Sequence, residues 1–301
     1  MPRSFPPTNS ETEVKICIAV STIGKTDRFD LLLDSIQSQN SSSFVFGVCD
    51  QSTDSQVRER IHQREWAIPT FLTTSDAPGL SAGRNAVISS APEDCTHFMF
   101  PNDTSTFGPN LIQQLSHEAI NYDVVVMSYS DGQRPRYLFP QSTDSLNKEN
   151  IWLAIEPGTV LSSRLIHSVN GFDEHLGTGC DTPFQAGEGS DLLLRALPFT
   201  PKAKWVPDLV IDGVPQAYSL SQKQRRNKQL MYGRGYAEVL RRHRYSSIRR
   251  TLSILAPFRH INTWIHRSAF IEALYLSVGR LQGGFPFTRS IPFPGELGWP
   301  G

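Results

Sequence analysis

An open α/β sheet, doubly wound and mostly parallel, followed by a basic helical appendage, is the fold this sequence predicts. Three observations predict it. Over the first 130 residues, apolar runs of strand length alternate with stripes at helical spacing. The runs are continuous rather than alternating, as in strands covered on both faces. Charge is also unevenly spread: Lys223 to Arg280 carries thirteen Lys or Arg against two acids, Glu238 and Glu272, although the whole chain has 29 of each sign. At 301 residues there is room for one large domain with an appendage, or for two small domains.

The elements follow in order. Val14 to Thr22 is a buried strand. Asp27 to Gln39 is a helix with Phe29, Leu32, Leu33 and Ile36 on one stripe. Phe44 to Asp50 is the second strand, and Asp54 caps a helix that runs to Glu65. Ile68 to Thr74 is the third strand. Gly79 to Ala91 is a helix with Ser81 as its candidate cap. His97 to Phe100 is the fourth strand, Asn110 to Ile120 a helix, and Tyr122 to Ser130 the fifth strand. Asp131 to Asn150 is polar and rich in turn formers, and reads as an excursion. Ile151 to Phe172 holds a strand, a turn at Pro157-Gly158, and a helix after Ser162 or Ser163. A glycine-rich segment then leads to a helix start at Ser190 to Leu197. Ala203 to Asp212 is the last strand. Basic helices occupy 222–244, 247–255 and 260–281, and a Pro/Gly-rich tail closes the chain.

In such sheets ligands bind beyond the carboxyl ends of the strands. That rule selects Ser21 to Gly24, Asp50 to Ser52, Ser75 to Gly79 and Asn102 to Ser105. Neither GxGxxG nor GxxxxGK[ST] occurs, which removes the dinucleotide and P-loop fingerprints. Asp50 can accept hydrogen bonds from a ribose or a base edge, or close a capping turn. Arg84 lies in the first turns of a helix, where a cation is unfavourable. A phosphate or carboxylate partner accounts for it, and so does solvent. Asp103 offers the hard oxygen that Mg²⁺ and Mn²⁺ take, or an Asx-turn cap for the helix near Pro109. Glu188 and Asp191 form a second acid cluster, GEGSDLLLR. Capping explains Asp191 in a first helical turn. Glu188, before the helix start, suits a general base facing an acceptor hydroxyl.

Taken in order, VSTIGKTDRFDLLLDSI, VCDQS, GLSAGRNAVI, FMFPNDTSTFGPNL, GTVLSSRLIHSVNGFDEHLG, GEGSDLLLR and WVPDLVI resemble the family 2 glycosyltransferases, from Val14 to Asp212. The resemblance implies a Rossmann-like GT-A fold. It implies transfer of a sugar, with inversion, from a nucleotide diphosphate sugar, usually UDP-linked, to a glycan or lipid-linked acceptor in cell-surface polysaccharide or glycolipid synthesis. It implies that Ser21, Thr22 and Asp50 hold the base and ribose and that Arg84 reaches the nucleotide. Asn102 and Asp103 match the metal-binding region, with Asp103 as ligand to Mn²⁺ or Mg²⁺. GEGSD matches the loop of the catalytic base. The chain departs from the pattern twice: Asp103 stands alone where two or three acids are usual, and Gly189 replaces the usual Asp base. Glu188 or Asp191 then serves, and Glu188 is preferred because Asp191 has the capping role. Arg225, Arg226 and Arg234 are candidates to stabilise the leaving diphosphate.

The expected organisation is a disordered N-terminus (1–13), a GT-A domain (14–221), the basic appendage (222–282) and the tail (283–301). The four cysteines match no zinc spacing and read as buried thiols of a reducing compartment. The N-terminus lacks the apolar region of a signal peptide, and no apolar run reaches the ~18 residues that span a bilayer. A cytoplasmic protein, peripheral at the inner face of the cell membrane, is expected. The basic helices of 222–282 suit an anionic membrane surface, or a helical cap with a solvated face. No nucleic-acid motif accompanies the charge. A sugar nucleotidyltransferase would need a glycine-rich loop after the first strand, and STIGKTDR has one glycine. A degenerate GT-A protein that binds nucleotide sugar or a partner without turnover is the non-catalytic alternative.

Overall fold

A computed structural model of the chain describes residues 13–24, 28–130, 145–213, 220–259 and 266–285. The expectations for the N-terminal segment, most of the 131–150 excursion, the start of the 260–281 helix and the tail beyond 285 lie outside the described residues. The chain forms two compact units. The first comprises Met1–Ser75, Gly83–Gly171 and Arg195–Val214; the second comprises Asp76–Ala82, Phe172–Leu194 and Pro215–Gly301.

The first unit is built on an eight-stranded sheet: β1 (Ile16–Thr22), β2 (Phe44–Asp50), β3 (Thr70–Thr73), β4 (His97–Met99), β5 (Ser105–Phe107), β6 (Val124–Ser130), β7 (Thr159–Ser162) and β8 (Ala203–Gly213). The order is β3-β2-β1-β4-β7-β6-β8-β5. β3, β2, β1 and β4 are parallel, as are β6 and β8. β7 runs antiparallel between β4 and β6, and β5 antiparallel to β8. The connecting helices are α1 (Phe29–Gln37), α2 (Gln56–His62), α3 (Leu80–Ser90), α4 (Leu111–Ala119) and α5 (Ser163–Ser168). The mostly parallel α/β architecture is the one the alternation predicted. β1 is buried along its whole length, which is why it reads as a continuous apolar run. The α1 stripe, Phe29, Leu32, Leu33 and Ile36, joins Ile16, Ile18 and Phe46 in one core cluster. Each such side chain contributes about 1.5–3 kcal/mol by leaving water. All four cysteines are free and buried; burial pushes the Cys49 thiol up to about 11, so it is an inert core group.

Several local expectations are corrected. The strand expected from Ile151 is absent: Asn150–Leu153 and Glu156–Gly158 are short 3₁₀ turns, and the strand, β7, follows Pro157-Gly158 instead. Pro157 lacks the N–H that a ladder needs and suits the start of a turn. Ser162 does cap the next helix, accepting from Leu165 N at 3.3 Å. β5 has no counterpart among the expected elements, because three residues are too few to show a period. Asp54 is not the N-cap of α2, which begins at Gln56; its Oδ1 instead accepts from Gln56 N at 3.2 Å. Ser81 lies inside α3 rather than capping it, and its hydroxyl donates to Leu176 O at 2.6 Å.

The second unit contains α7 (Gln222–Arg242), α8 (Ser247–Leu255) and α9 (Arg267–Gly284), while α6 (Glu188–Ala196) begins in it. A reciprocal capping box between Ser221 and Gln224 opens α7. α7 and α9 meet at glycines: a Cβ on Gly279 would collide with the Leu230 carbonyl oxygen, and one on Gly233 with that of Leu276. Gly279→Ala is expected to cost about 1–3 kcal/mol through overpacking. An unchanged thermal midpoint would show that the two helices part easily. Many basic residues are used inside this unit. Arg225 pairs with Glu272 at 3.2 Å, Arg234 Nε donates to Gln282 Oε1 at 2.8 Å, and Arg280 Nη1 donates to Ser253 O at 2.6 Å. No described helix is long and apolar enough to cross a membrane.

Candidate functional site

The sheet order sets a switch point. From β1 the chain moves through β2 to β3 on one side, then crosses to β4 on the other. Ligands of open α/β sheets bind at such a point. Thr22, the last residue of β1, is in register with Asp50 at the end of β2. Asp103 follows β4 in a turn closed by Ser105 N donating to Asn102 O at 3.0 Å and Asn102 N donating to Ser105 Oγ at 3.1 Å. Across the switch point Thr22 Oγ1 donates to Asp103 Oδ2 at 2.7 Å. Three predicted residues, Thr22, Asp50 and Asp103, thus lie on adjoining strand ends. The capping alternative for Asp103 is removed, because β5 separates it from α4, whose N-cap is Asn110 in the left-handed region.

Burial pushes the Asp103 carboxyl above its ordinary value. The Thr22 hydroxyl, a backbone N–H and the charge of Arg84 act against burial without cancelling it. A carboxylate desolvated in this way favours a cation beside it. Asp50 closes its own turn, its Oδ1 accepting from Ser52 N at 2.9 Å and from Ser52 Oγ at 2.5 Å. Ser21 is buried against α3, where a Cβ on Gly83 would strike its Oγ. Ser21 therefore sits under the helix, whereas Thr22 orients the acid.

Arg84 is wholly buried. Its guanidinium is ion-paired with Glu156, and its Nη2 donates to Phe100 O at 3.1 Å. Of the partners that the sequence allowed, the structure supplies a carboxylate, and it is the protein's own. Solvation of Arg84 is ruled out.

The second acid cluster belongs to the second unit. Glu188 is the first residue of α6 rather than a residue preceding it. The chain enters the helix at Gly187, whose φ is +96° and where a Cβ would lie 2.7 Å from Val239 Cγ2; only glycine suits this turn. The half-buried Glu188 side chain rests over Gly177, where a Cβ would come 3.3 Å from Glu188 Cδ. Asp191 is 3 % exposed. Its Oδ1 lies 2.8 Å from His243 Nε2, within hydrogen-bond distance. Asp191 lies in the first turn of α6 as expected, and the fold adds a partner that the sequence did not show: His243, at the end of α7, makes Asp191 a tether. Arg242 with Asp173, and Thr178 Oγ1 with Tyr232 Oη at 3.1 Å, fasten the same segment to α7. Of the three arginines named for a leaving group, Arg225 and Arg234 are engaged by Glu272 and Gln282.

Glu156 and His243 are the two residues that the sequence did not single out. Neither carries a local signal: His243 lies 52 positions from Asp191, and only the fold joins them. Among the described residues no group of three or more His, Cys, Asp or Glu could hold a metal ion. In the turn after β4 the chain offers a single carboxylate, the half-buried Asp103. That donor fits Mg²⁺ or Mn²⁺, which often take one or two carboxylates and complete their shell with phosphate oxygens and water. A separate hollow of about 1410 Å³ is lined by Val14, Ile36, Ser43, Ile68 and His117. It borders the residues just before β1, β2 and β3, the opposite edge of the sheet from Asp103.

No protein-family model matches this chain, and no curated protein sequence matches it. Solved structures do. S. aureus TarS 1-349 in complex with UDP-GlcNAc is similar with a TM-score of 0.54 and 15 % identity, over 89 % of this chain and 91 % of that one. The same TarS fragment in complex with UDP gives a TM-score of 0.55 at 14 % identity. A mannosyltransferase from Pyrobaculum calidifontis, PcManGT, in complex with GDP-Man and Mn²⁺, gives 0.57 at 14 % identity, over 98 % of this chain and 81 % of that one. At such identity the likeness establishes the fold: this chain has the GT-A architecture that its ordered motifs resemble.

Proposed function

We propose that the protein is a glycosyltransferase that takes a sugar from a nucleotide diphosphate sugar, with inversion, and delivers it to a glycan or lipid-linked hydroxyl. The observation that carries this reading is the Thr22–Asp103 hydrogen bond at the β1/β4 switch point, which holds a desolvated carboxylate where a diphosphate and its cation would bind. The UDP-GlcNAc, UDP, GDP-Man and Mn²⁺ bound by proteins of the same fold support it.

In this reading Asp103 holds Mn²⁺ or Mg²⁺, oriented by Thr22, and Asp50 receives the ribose or base edge. The ion, when bound, supplies positive charge against the diphosphate leaving group. Glu188 takes the proton of the acceptor hydroxyl. The acceptor oxygen bonds to the anomeric carbon from the face opposite the diphosphate, and the bond from that carbon to the diphosphate oxygen breaks.

The test is release of UDP or GDP from a panel of nucleotide sugars, with Mn²⁺ and with a chelator. Release that depends on the acceptor supports transfer; tight donor binding without release selects the non-catalytic alternative. Asp103→Asn is expected to weaken Mn²⁺-dependent donor binding by about tenfold or more in calorimetry, as the loss of one charged ligand implies. Without ligand, the same variant should lose a pH dependence. Because the folded-state value of Asp103 is raised, its stabilising contribution is full below the unfolded value and is lost as pH rises through the folded one. Asn at this position removes that loss, so the thermal midpoint of the ligand-free variant should equal or exceed that of the parent above this window. A lower midpoint there would contradict the desolvation account.

A further inference from the structure

We infer that α8 is an in-plane docking helix for an anionic lipid surface. The sequence spread that expectation over 222–282, but the structure narrows it. Arg225, Arg234, Arg241, Arg242 and Arg280 are tied into their own unit by Glu272, Gln282, Glu238 and the Ser253 carbonyl. α8 is different. Its inner face is fastened to α9: Arg250 Nη1 donates to Gly284 O at 3.1 Å, and Ser277 Oγ donates to Ile254 O at 2.7 Å. Its outer face is apolar. Ile248 is 73 % exposed, and Leu252 and Leu255 are 61 % exposed each. At positions i, i+4 and i+7 these three form one stripe along the helix. Single exposed apolar residues are ordinary, but a contiguous stripe marks an interaction surface.

The charge around the stripe identifies the occupant. Ser246 to Arg259 contains Arg249, Arg250 and Arg259 and no acid. Arg244, Arg249 and Arg259 are all exposed. A short helix with an apolar outer stripe and flanking arginines matches the boundary between acyl chains and acidic headgroups. A second copy of the chain is a poor occupant. A twofold contact through this face would gather the flanking arginines of both copies with no acid from Ser246 to Arg259 to answer them, and three side chains fall far short of the roughly 20–30 residues per partner of a stable interface. A nucleic acid would answer the arginines but leave the stripe in water.

The experiment is co-sedimentation of the full chain with vesicles of phosphatidylcholine alone, and of phosphatidylcholine mixed equally with phosphatidylglycerol. The parent protein is expected to bind the mixed vesicles, to bind neutral ones much more weakly, and to lose binding in high salt. Ile248→Asn with Leu252→Asn should lower the bound fraction on mixed vesicles at least tenfold, about what removing two partly inserted aliphatic side chains implies. Arg249→Glu should reduce binding on mixed vesicles and leave neutral ones unaffected. All three positions are exposed, so thermal midpoints should match the parent, and nucleotide release from the donor in the presence of a soluble acceptor should not change. Binding to neither vesicle, equal binding to both, or full binding by the double variant overturns the inference. So does a parent dimer that the double variant converts to monomer in light scattering.

Discussion

Glu188→Gln is expected to lower sugar transfer by about 10²–10⁴-fold, the usual contribution of a positioned general base, while leaving donor binding and the thermal midpoint unchanged. The amide keeps the shape of the side chain over Gly177 but cannot take a proton from an alcohol. The comparison is Asp191→Asn. Asp191 is buried and bonded to His243, so its loss should act on stability first. Leaving one member of a buried polar pair badly satisfied costs about 1–3 kcal/mol, read in a denaturant titration. Turnover per folded molecule should fall far less than in Glu188→Gln. If Asp191→Asn abolishes transfer at unchanged stability while Glu188→Gln keeps it, the base is assigned to the wrong acid. Within the second unit the Glu188 carboxyl lies over Gly177, whereas that of Asp191 meets His243 at the end of α7.

Arg84→Ala is expected to be the most destabilising single change in the first unit, at about 3–5 kcal/mol. The guanidinium is wholly buried, and removing it strands the Glu156 carboxylate, which is also largely buried. Replacing both partners with apolar residues of similar length, Arg84→Met with Glu156→Leu, should recover much of the loss, because two desolvated charges are removed together. Donor binding by the double variant then isolates any direct role of Arg84 toward the nucleotide. A loss below about 1 kcal/mol for Arg84→Ala, the range of an exposed pair, would mean that the ion pair opens in solution and the arginine is available to a ligand.

Most of the first unit was legible because β1, β2, β4 and β6 are buried on both faces. A continuous apolar run such as Ile16–Thr22 states both its length and its place in a sheet. The α1 stripe was readable for the same reason, since burial of one helical face imposes a period. The gaps and misreadings fall where no period can develop. β5 has three residues, and the turns at Asn150–Leu153 and Glu156–Gly158 have four and three. Short segments of that kind take their conformation from neighbouring strands.

The chain order of apolar runs, the strand-end rule and the motif set determined by themselves that Thr22, Asp50 and Asp103 sit at the carboxyl edge of a parallel sheet. Covalent spacing and hydrophobic period suffice for that, since both are local and the sheet order is limited by connection rules. What only the tertiary structure decided is the state of each charged group. Arg84 proved to be a buried partner of Glu156, Asp191 a tether to His243, and Asp103 a desolvated acid held by Thr22. Solvation and charge pairing depend on residues far apart in the chain, and a side chain's protonation and purpose follow from which of them the fold places within a few ångströms.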